Sequence, residues 1–234
     1  MQPIIDILNL SYAYPDGKQA LRGVNLAVQP GEKIALVGAN GAGKSTLLLH
    51  LNGVFTGTGQ IRINGLAVEK PHLGQIRALV GVVFQNPDDQ LFSSTVYEDV
   101  AYGPTYQGFS KAEVHEKVTR ALAAVHMQDY AARNPYHLSG GEKKRIAIAT
   151  VLSMQPEILV FDEPTAGLDP RSRRELIDLL YELPQTMLIA THDLPMVEQL
   201  TPRTVILSQG TVAADGPTTQ ILRNGRLLEE NGLC

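Results

Sequence analysis

Apolar residues follow three successive rhythms along this chain. Between residues 4 and 65 they fall in short runs at 4–10, 24–28, 33–37 and 60–64, broken by turn sequences such as Pro15-Asp-Gly17 and Pro30-Gly31. Runs of that length between glycine and proline predict strands. From Asn86 the period lengthens: Val114, Val118, Leu122 and Val125 recur at helical intervals, and Thr95 with Glu98 and Ser110 with Glu113 have capping-box spacing. Residues 86–153 therefore read as a mainly helical insertion. Strand and helix then alternate again, with apolar β-capable runs at 158–161 and 187–190, and between them a helix with Asp169 at its N-cap and Pro170 at its first position. Residues 205–207 and 212–213 flank Gln209-Gly210 and predict a small hairpin.

The run at 33–37 leads into Gly38, Ala39, Asn40, Gly41, Ala42, Gly43, Lys44, Ser45 and Thr46, and a leucine-rich helical stretch follows at 47–51. The segment fits G-x-x-x-x-G-K-[ST], a pattern that chance composition produces in roughly one chain of this length in a hundred. Its place between strand and helix suits a triphosphate: the amides of residues 41–46 can curl around the anion at a helix N-terminus. Lys44 would reach the β- and γ-phosphates, Ser45 would bind Mg²⁺, and Thr46 would bond the α-phosphate. The alternative is a glycine turn that only packs a helix on a sheet.

The 158–161 run ends in Asp162 and Glu163. Consecutive strand residues face opposite ways, and ligands of open α/β sheets bind at the strands' C-terminal ends. Asp162 is thus expected in the Mg²⁺ shell and Glu163 beside the attacking water. His192 ends the next apolar run and is a candidate γ-phosphate sensor. Gln85 ends the run at 80–84, where its amide would coordinate Mg²⁺ or orient water. Ser139, Gly140, Gly141 and Glu142 precede the apolar run 146–149 and read as a second anion-binding helix start, with a plain helix cap as the alternative.

Composition narrows the partners. With 234 residues, 44% hydrophobic and 19% charged, the chain is an ordinary globular protein, and a net charge of −4 speaks against a nucleic-acid partner. No apolar run approaches the roughly 20 residues of a membrane span, and the N-terminus lacks the features of a signal peptide, so a cytosolic location is expected. The single cysteine, Cys234, permits no internal disulfide and fits a reducing compartment.

In this order, the P-loop, Gln85, Leu138-Ser-Gly-Gly-Glu142, the Asp162-Glu163 strand end, Gly167-Leu-Asp169 and His192 resemble the nucleotide-binding subunit of ATP-binding cassette (ABC) transporters over nearly the whole chain. The resemblance implies an α/β P-loop NTPase fold of the ABC ATPase type in a single domain, 1–234. Its core, 1–85 and 154–234, would carry an N-terminal antiparallel β subdomain, and 86–153 would be the helical signature subdomain. It implies ATP and Mg²⁺ as ligands, and a head-to-tail dimer in which each ATP lies between one subunit's P-loop and the other's signature. The partner would be a second copy or a paralogous ATPase subunit.

The resemblance also implies an aromatic side chain stacked on adenine, with Tyr14 the better placed and Tyr12 the runner-up, and makes Asp169 an acid that crosses the interface. Glu142 stands where the family's commonest signature has glutamine. A carboxylate facing a triphosphate would repel it, so Glu142 is expected to turn away while Ser139, Gly140 and Gly141 make the contact.

The stretch Phe84-Gln-Asn-Pro-Asp-Asp-Gln-Leu-Phe92, with Val96-Tyr-Glu-Asp-Val100, is similar to the ATPases of energy-coupling factor (ECF) importers of vitamins and Co²⁺ or Ni²⁺. That likeness implies integral membrane subunits as partners, contacted through Leu91 and Phe92 unless these are core residues, at the cytoplasmic face of the membrane. The short stretch after 221–223 favours the cobalt or nickel branch. Glu163, Lys44, His192 and Gln85 would be the catalytic set. The rivals are a vitamin importer, an exporter, a soluble ABC ATPase acting on ribosomes or DNA, and a regulatory module that binds ATP without hydrolysing it.

Overall fold

The computed structural model describes residues 2–233, so Cys234 and the readings that rest on it lie outside the described residues. The N-terminal elements are β1 (Ile5–Ala13), β2 (Gln19–Val28), β3 (Lys33–Val37), α1 (Lys44–Leu51), β4 (Thr58–Ile63), β5 (Leu66–Ala67), α2 (Leu73–Leu79) and β6 (Val80–Val83). Next come α3 (Val96–Tyr106), α4 (Lys111–Ala124), α5 (Gly140–Leu152), β7 (Ile158–Asp162), α6 (Pro170–Glu182) and β8 (Thr186–Thr191). The chain closes with α7 (Leu194–Leu200), β9 (Arg203–Ser208), β10 (Thr211–Pro217), α8 (Thr218–Arg223) and α9 (Gly225–Glu230).

Two compact units result: residues 1–80, 157–163 and 184–234, and residues 81–156 and 164–183. The first holds an antiparallel sheet ordered β2-β1-β4-β5, and a second sheet in which β10-β9-β3-β8-β7 follow one another. In the second sheet β9, β3, β8 and β7 pair in parallel and β10 joins antiparallel. Residues 34–37, 158–161 and 187–190 have no exposed surface, as parallel strands covered on both faces require. This full burial is why those runs are continuously apolar.

Strands β1 and β2 exceed the expected runs because their far ends mix polar with apolar residues and are held by cross-strand pairing, such as Tyr12 with Leu21 and Ala13 with Gln19. The β9–β10 hairpin likewise outgrows its apolar runs. Its turn places Gln209 (φ 48°) and Gly210 (φ 80°) both in the left-handed region, the geometry whose twist suits two-residue hairpins.

In the second unit α3, α4 and α5 pack against one another. Each starts on a complete capping box, Thr95 with Glu98, Ser110 with Glu113 and Ser139 with Glu142. Arg145 of α5 reaches Glu175 of α6 at 3.2 Å. Among the described residues no helix is long and apolar enough to cross a membrane.

Candidate functional site

The P-loop's glycines answer to backbone contacts. A Cβ on Gly38 would sit 2.3 Å from the Leu207 carbonyl oxygen, and one on Gly43 would sit 2.6 Å from that of Ala20. Gly43 also has φ 106°, a conformation costly for any other residue, and it caps α1. The loop is thereby pressed against the β9–β10 turn, where Gly210 N donates to the Ala42 carbonyl at 3.0 Å. Ala39, Asn40, Gly41 and Ser45 are exposed, while Lys44 and Thr46 are buried. The Lys44 ammonium donates to the carbonyls of Gly38 at 2.7 Å and Ala39 at 3.3 Å, so a cation already sits in the curl of the loop.

Sheet register brings the acids to the same edge. Leu36 and Asp162 both pair with Ala190, so Asp162 ends β7 two residues short of the level of Gly38. Glu163 does not continue the strand: it adopts left-handed φ 46°, and its N–H donates to the Ala190 carbonyl at 2.8 Å. The two carboxylates are therefore separated by a turn and not, as the sequence suggested, by strand alternation. A left-handed non-glycine residue costs about 1 kcal/mol or more, and such strain gathers at functional sites. The Glu163 side chain is only 9% exposed. Its Oε2 accepts from Thr191 Oγ1 at 3.1 Å and His192 N at 3.3 Å, and its Oε1 lies 2.9 Å from His192 Nδ1. A carboxylate accepts, so Nδ1 carries the proton. The His192 ring itself is 67% exposed.

Beside α1 stands an aromatic cluster that the sequence showed only in part. Tyr12 stacks on Phe55 (5.1 Å, 23°) and meets His50 edge-on at 4.9 Å. Tyr14 meets Tyr12 and Phe55 by its edges, and its hydroxyl lies 2.7 Å from Thr46 Oγ1. One of Tyr12's faces is thus taken by Phe55, whereas Tyr14 is tied directly to the P-loop helix. His50 and Phe55 carried no motif, and only their distance from Tyr12 in space, not in sequence, reveals them.

In the second unit, Ser139 caps α5 and its Oγ accepts from Glu142 N at 3.4 Å. Glu142 turns back on its own helix: Oε2 accepts from Ser139 N and Oε1 from the Tyr130 hydroxyl, both at 2.8 Å. Arg133 covers the Tyr130 ring at 3.9 Å. Burial alone would raise the Glu142 pKa, but the Ser139 amide, the Tyr130 hydroxyl and the Arg133 charge outweigh it and hold the carboxyl below its usual range. The same bond pushes the Tyr130 hydroxyl's pKa up.

Gly140 is exposed, and a Cβ there would find only Leu168 Cδ2, at 3.9 Å. Gly141 has no such room, since its Cβ would fall 2.7 Å from Ser172 Oγ. Asp169 caps α6, with Oδ1 accepting from Arg171 N at 2.9 Å and Ser172 N at 3.0 Å, and Oδ2 from Ser172 Oγ at 2.6 Å. The Ser172 hydroxyl and these amides draw its pKa down.

Gln85 is exposed, and its carbonyl accepts from Lys144 Nζ at 2.6 Å. Gln90, which no motif marked, donates from Nε2 to the Ala147 carbonyl (2.8 Å) and Thr150 Oγ1 (2.7 Å), fixing the segment after Gln85 onto α5. Leu91 is 2% exposed and is a core residue, which removes it as a contact with a partner. Phe92, at 60% exposed, remains on the surface and packs edge-on against Tyr102 (5.2 Å), beside the likewise exposed Tyr106.

Structure and sequence comparisons agree on the kinship. The family pattern described as "ABC transporter" matches residues 21–166, more than half of the chain. The energy-coupling factor transporter ATP-binding protein EcfA of Methanothermobacter thermautotrophicus is 49% identical over 236 residues, 98% of this chain and 76% of that protein. Its namesake in Carboxydothermus hydrogenoformans is 46% identical over 237 residues, 100% of this chain and 87% of that one. Among solved structures, CbiO1 of Clostridium perfringens, described as part of the ABC transporter complex CbiONQ, superposes with a TM-score of 0.88 at 35% identity, covering 100% of this chain and 96% of that one.

Proposed function

The chain belongs to the ABC transporter family, and from that premise we propose that it is the ATPase of an ECF-type importer, drives cobalt or nickel uptake, and works as an ATP-bridged head-to-tail dimer. It has the ABC ATPase fold and is an ATP hydrolase coupled to transport. The observation that carries the catalytic reading is Glu163, buried at the end of β7 and held by Thr191 and His192 beside the P-loop.

Each residue has a task in this scheme. The loop amides and the Lys44 ammonium bind the β- and γ-phosphates, and Lys44 exchanges its present carbonyl partners for phosphate oxygens. Glu163 accepts a hydrogen bond from the attacking water and orients it for in-line displacement. His192, its Nδ1 proton on Glu163, presents the rest of its ring to the γ-phosphate. The exposed Ser45 hydroxyl and the half-buried Asp162 carboxylate are hard oxygen donors, suited to Mg²⁺, which takes few protein ligands and keeps several waters. When bound there, Mg²⁺ would neutralise charge developing on the phosphates.

The other subunit contributes Ser139, Gly140 and Gly141, whose open helix start receives the γ-phosphate, while its Asp169 lies at the interface. The chain sits peripherally at the cytoplasmic face of the membrane, and Phe92 with Tyr102 meets an integral membrane subunit. Likeness to CbiO1 supports the cobalt or nickel branch. Pull-down of the tagged chain should recover integral membrane subunits, and vesicles carrying that complex should accumulate Co²⁺ or Ni²⁺ when supplied with ATP. A complex that accumulates a vitamin and neither ion would overturn the cargo assignment.

A further inference from the structure

Tyr14 and Thr46 are separated by 32 positions, yet their side-chain oxygens lie 2.7 Å apart in a half-buried setting. Thr46 is held from its other side too, since its carbonyl oxygen lies 2.7 Å from His50 Nδ1. His50 is fully buried, and burial holds its pKa below the usual range, with the bond to Thr46 only partly opposing. The ring is therefore neutral at pH 7, with its proton on Nδ1, and Nε2 is buried without a hydrogen-bond partner among the described residues. The Tyr14 ring is steadied in turn by the edges of Tyr12 (5.3 Å) and Phe55 (5.8 Å). One threonine is thus gripped at its carbonyl by His50 and at its hydroxyl by Tyr14.

A hydroxyl has a single proton to donate. If Thr46 gives its proton to a phosphate oxygen, its bond with Tyr14 has only one possible direction: the phenol donates and Thr46 Oγ1 accepts. Hydrogen bonds running head to tail in this way polarise and strengthen one another. We propose that the Tyr14 hydroxyl is a positioning group for Thr46, so that this side chain serves both ends of the nucleotide, the ring at the base and the hydroxyl, through Thr46, at the α-phosphate. The proposal rests on nucleotide binding by the P-loop, and it separates the hydroxyl's role from the ring's.

A double-mutant cycle on the full chain tests it, with ATP affinity read by calorimetry for the wild type, Tyr14→Phe, Thr46→Val and the pair. Tyr14→Phe should weaken ATP binding roughly three- to tenfold, the worth of one hydrogen bond. In the Thr46→Val background the same change should cost less than about twofold. Thr46→Ser keeps the hydroxyl, so Tyr14→Phe should retain its penalty there, a comparison that stands even if the valine variant folds poorly. The penalty should also be the same factor with GTP, because it acts at the phosphate.

Tyr14→Leu removes ring and hydroxyl together and should bind ATP more weakly than Tyr14→Phe. Equal affinities for those two would end the base-stacking reading and leave the hydroxyl proposal standing. A Tyr14→Phe penalty of full size in the Thr46→Val background, or no penalty in the wild-type background, overturns the proposal.

Discussion

Removing the Glu142 carboxylate tests how the signature helix is held. The Glu142→Ala variant would lose two bonds, one from the Ser139 amide and one from the Tyr130 hydroxyl, both 2.8 Å long. Loss of the cap interaction costs about 1 kcal/mol, and loss of a hydrogen bond at a partly exposed site costs about the same. The carboxylate remains in contact with solvent, so its charge adds little beyond this. A total of about 2 kcal/mol corresponds to a fall in Tm of roughly 4–8 °C for a chain of this size. Glu142→Gln keeps an oxygen for Ser139 and an amide for Tyr130, so it should melt close to the wild type at neutral pH.

The pH dependence has a definite sign. The Glu142 pKa is depressed in the folded state, so the stability it contributes is present above the ordinary glutamate value of 4.5 and is lost as pH falls through the lower folded value. Any advantage of the wild type over Glu142→Gln should therefore vanish in acid. Thermal unfolding of the three proteins measures all of this. A Glu142→Ala protein that melts with the wild type, or a Glu142→Gln protein that melts with Glu142→Ala, would refute this role for the carboxylate. ATP-dependent dimerisation supplies a second check: a several-fold gain in Glu142→Gln would show that the carboxylate faces the nucleotide after all.

Gly141→Ala should drive a methyl into Ser172 Oγ, 2.7 Å away, and cost about 1–3 kcal/mol in thermal stability, with Ser172→Gly in the same chain restoring most of it. Thr191→Val removes a donor from Glu163 and leaves the Asp193 amide, now bonded to Thr191 Oγ1 at 3.0 Å, without that acceptor. Steady-state ATPase kinetics should show a loss of about tenfold or more in kcat with little change in KM, and an unchanged kcat would mean that Thr191 does not position Glu163.

Much of this architecture is legible in the sequence where one physical demand acts alone. Residues 34–37 of β3, 158–161 of β7 and 187–190 of β8 are continuous apolar runs because both faces are covered, and the capping boxes of α3 and α4 show in residue spacing because they are local. The P-loop is legible because its residues form one contiguous pattern, although the contacts that exclude a Cβ from Gly38 and Gly43 come from Leu207 and Ala20, far off in sequence. What the sequence hid depends on contacts across the fold. The outer ends of β1 and β2 mix polar with apolar residues and are held by pairing. Leu91 reads in the sequence as either a partner contact or a core residue, and only its burial decides for the core.

The site's finer geometry is hidden in the same way. Glu163's left-handed turn has no signature of its own, because it is imposed by Thr191, His192 and the Ala190 carbonyl, some 28 residues on. The link from Tyr14 through Thr46 to His50 joins the turn after β1 to α1 across 32 residues and follows no motif. Glu142 is the intermediate case, since the need to turn it from a phosphate follows from charge, whereas its anchor on Tyr130 appears only in the structure.

Two copies of this chain are proposed to close around ATP, each lending its signature to the other's P-loop. Sedimentation of Glu163→Gln tests it most directly, because this variant should bind ATP, lose water activation and remain closed. Dimers are expected in Mg²⁺ and ATP and monomers in ADP. A Glu163→Gln protein that stays monomeric with ATP bound, at concentrations where the wild type hydrolyses ATP, would contradict it.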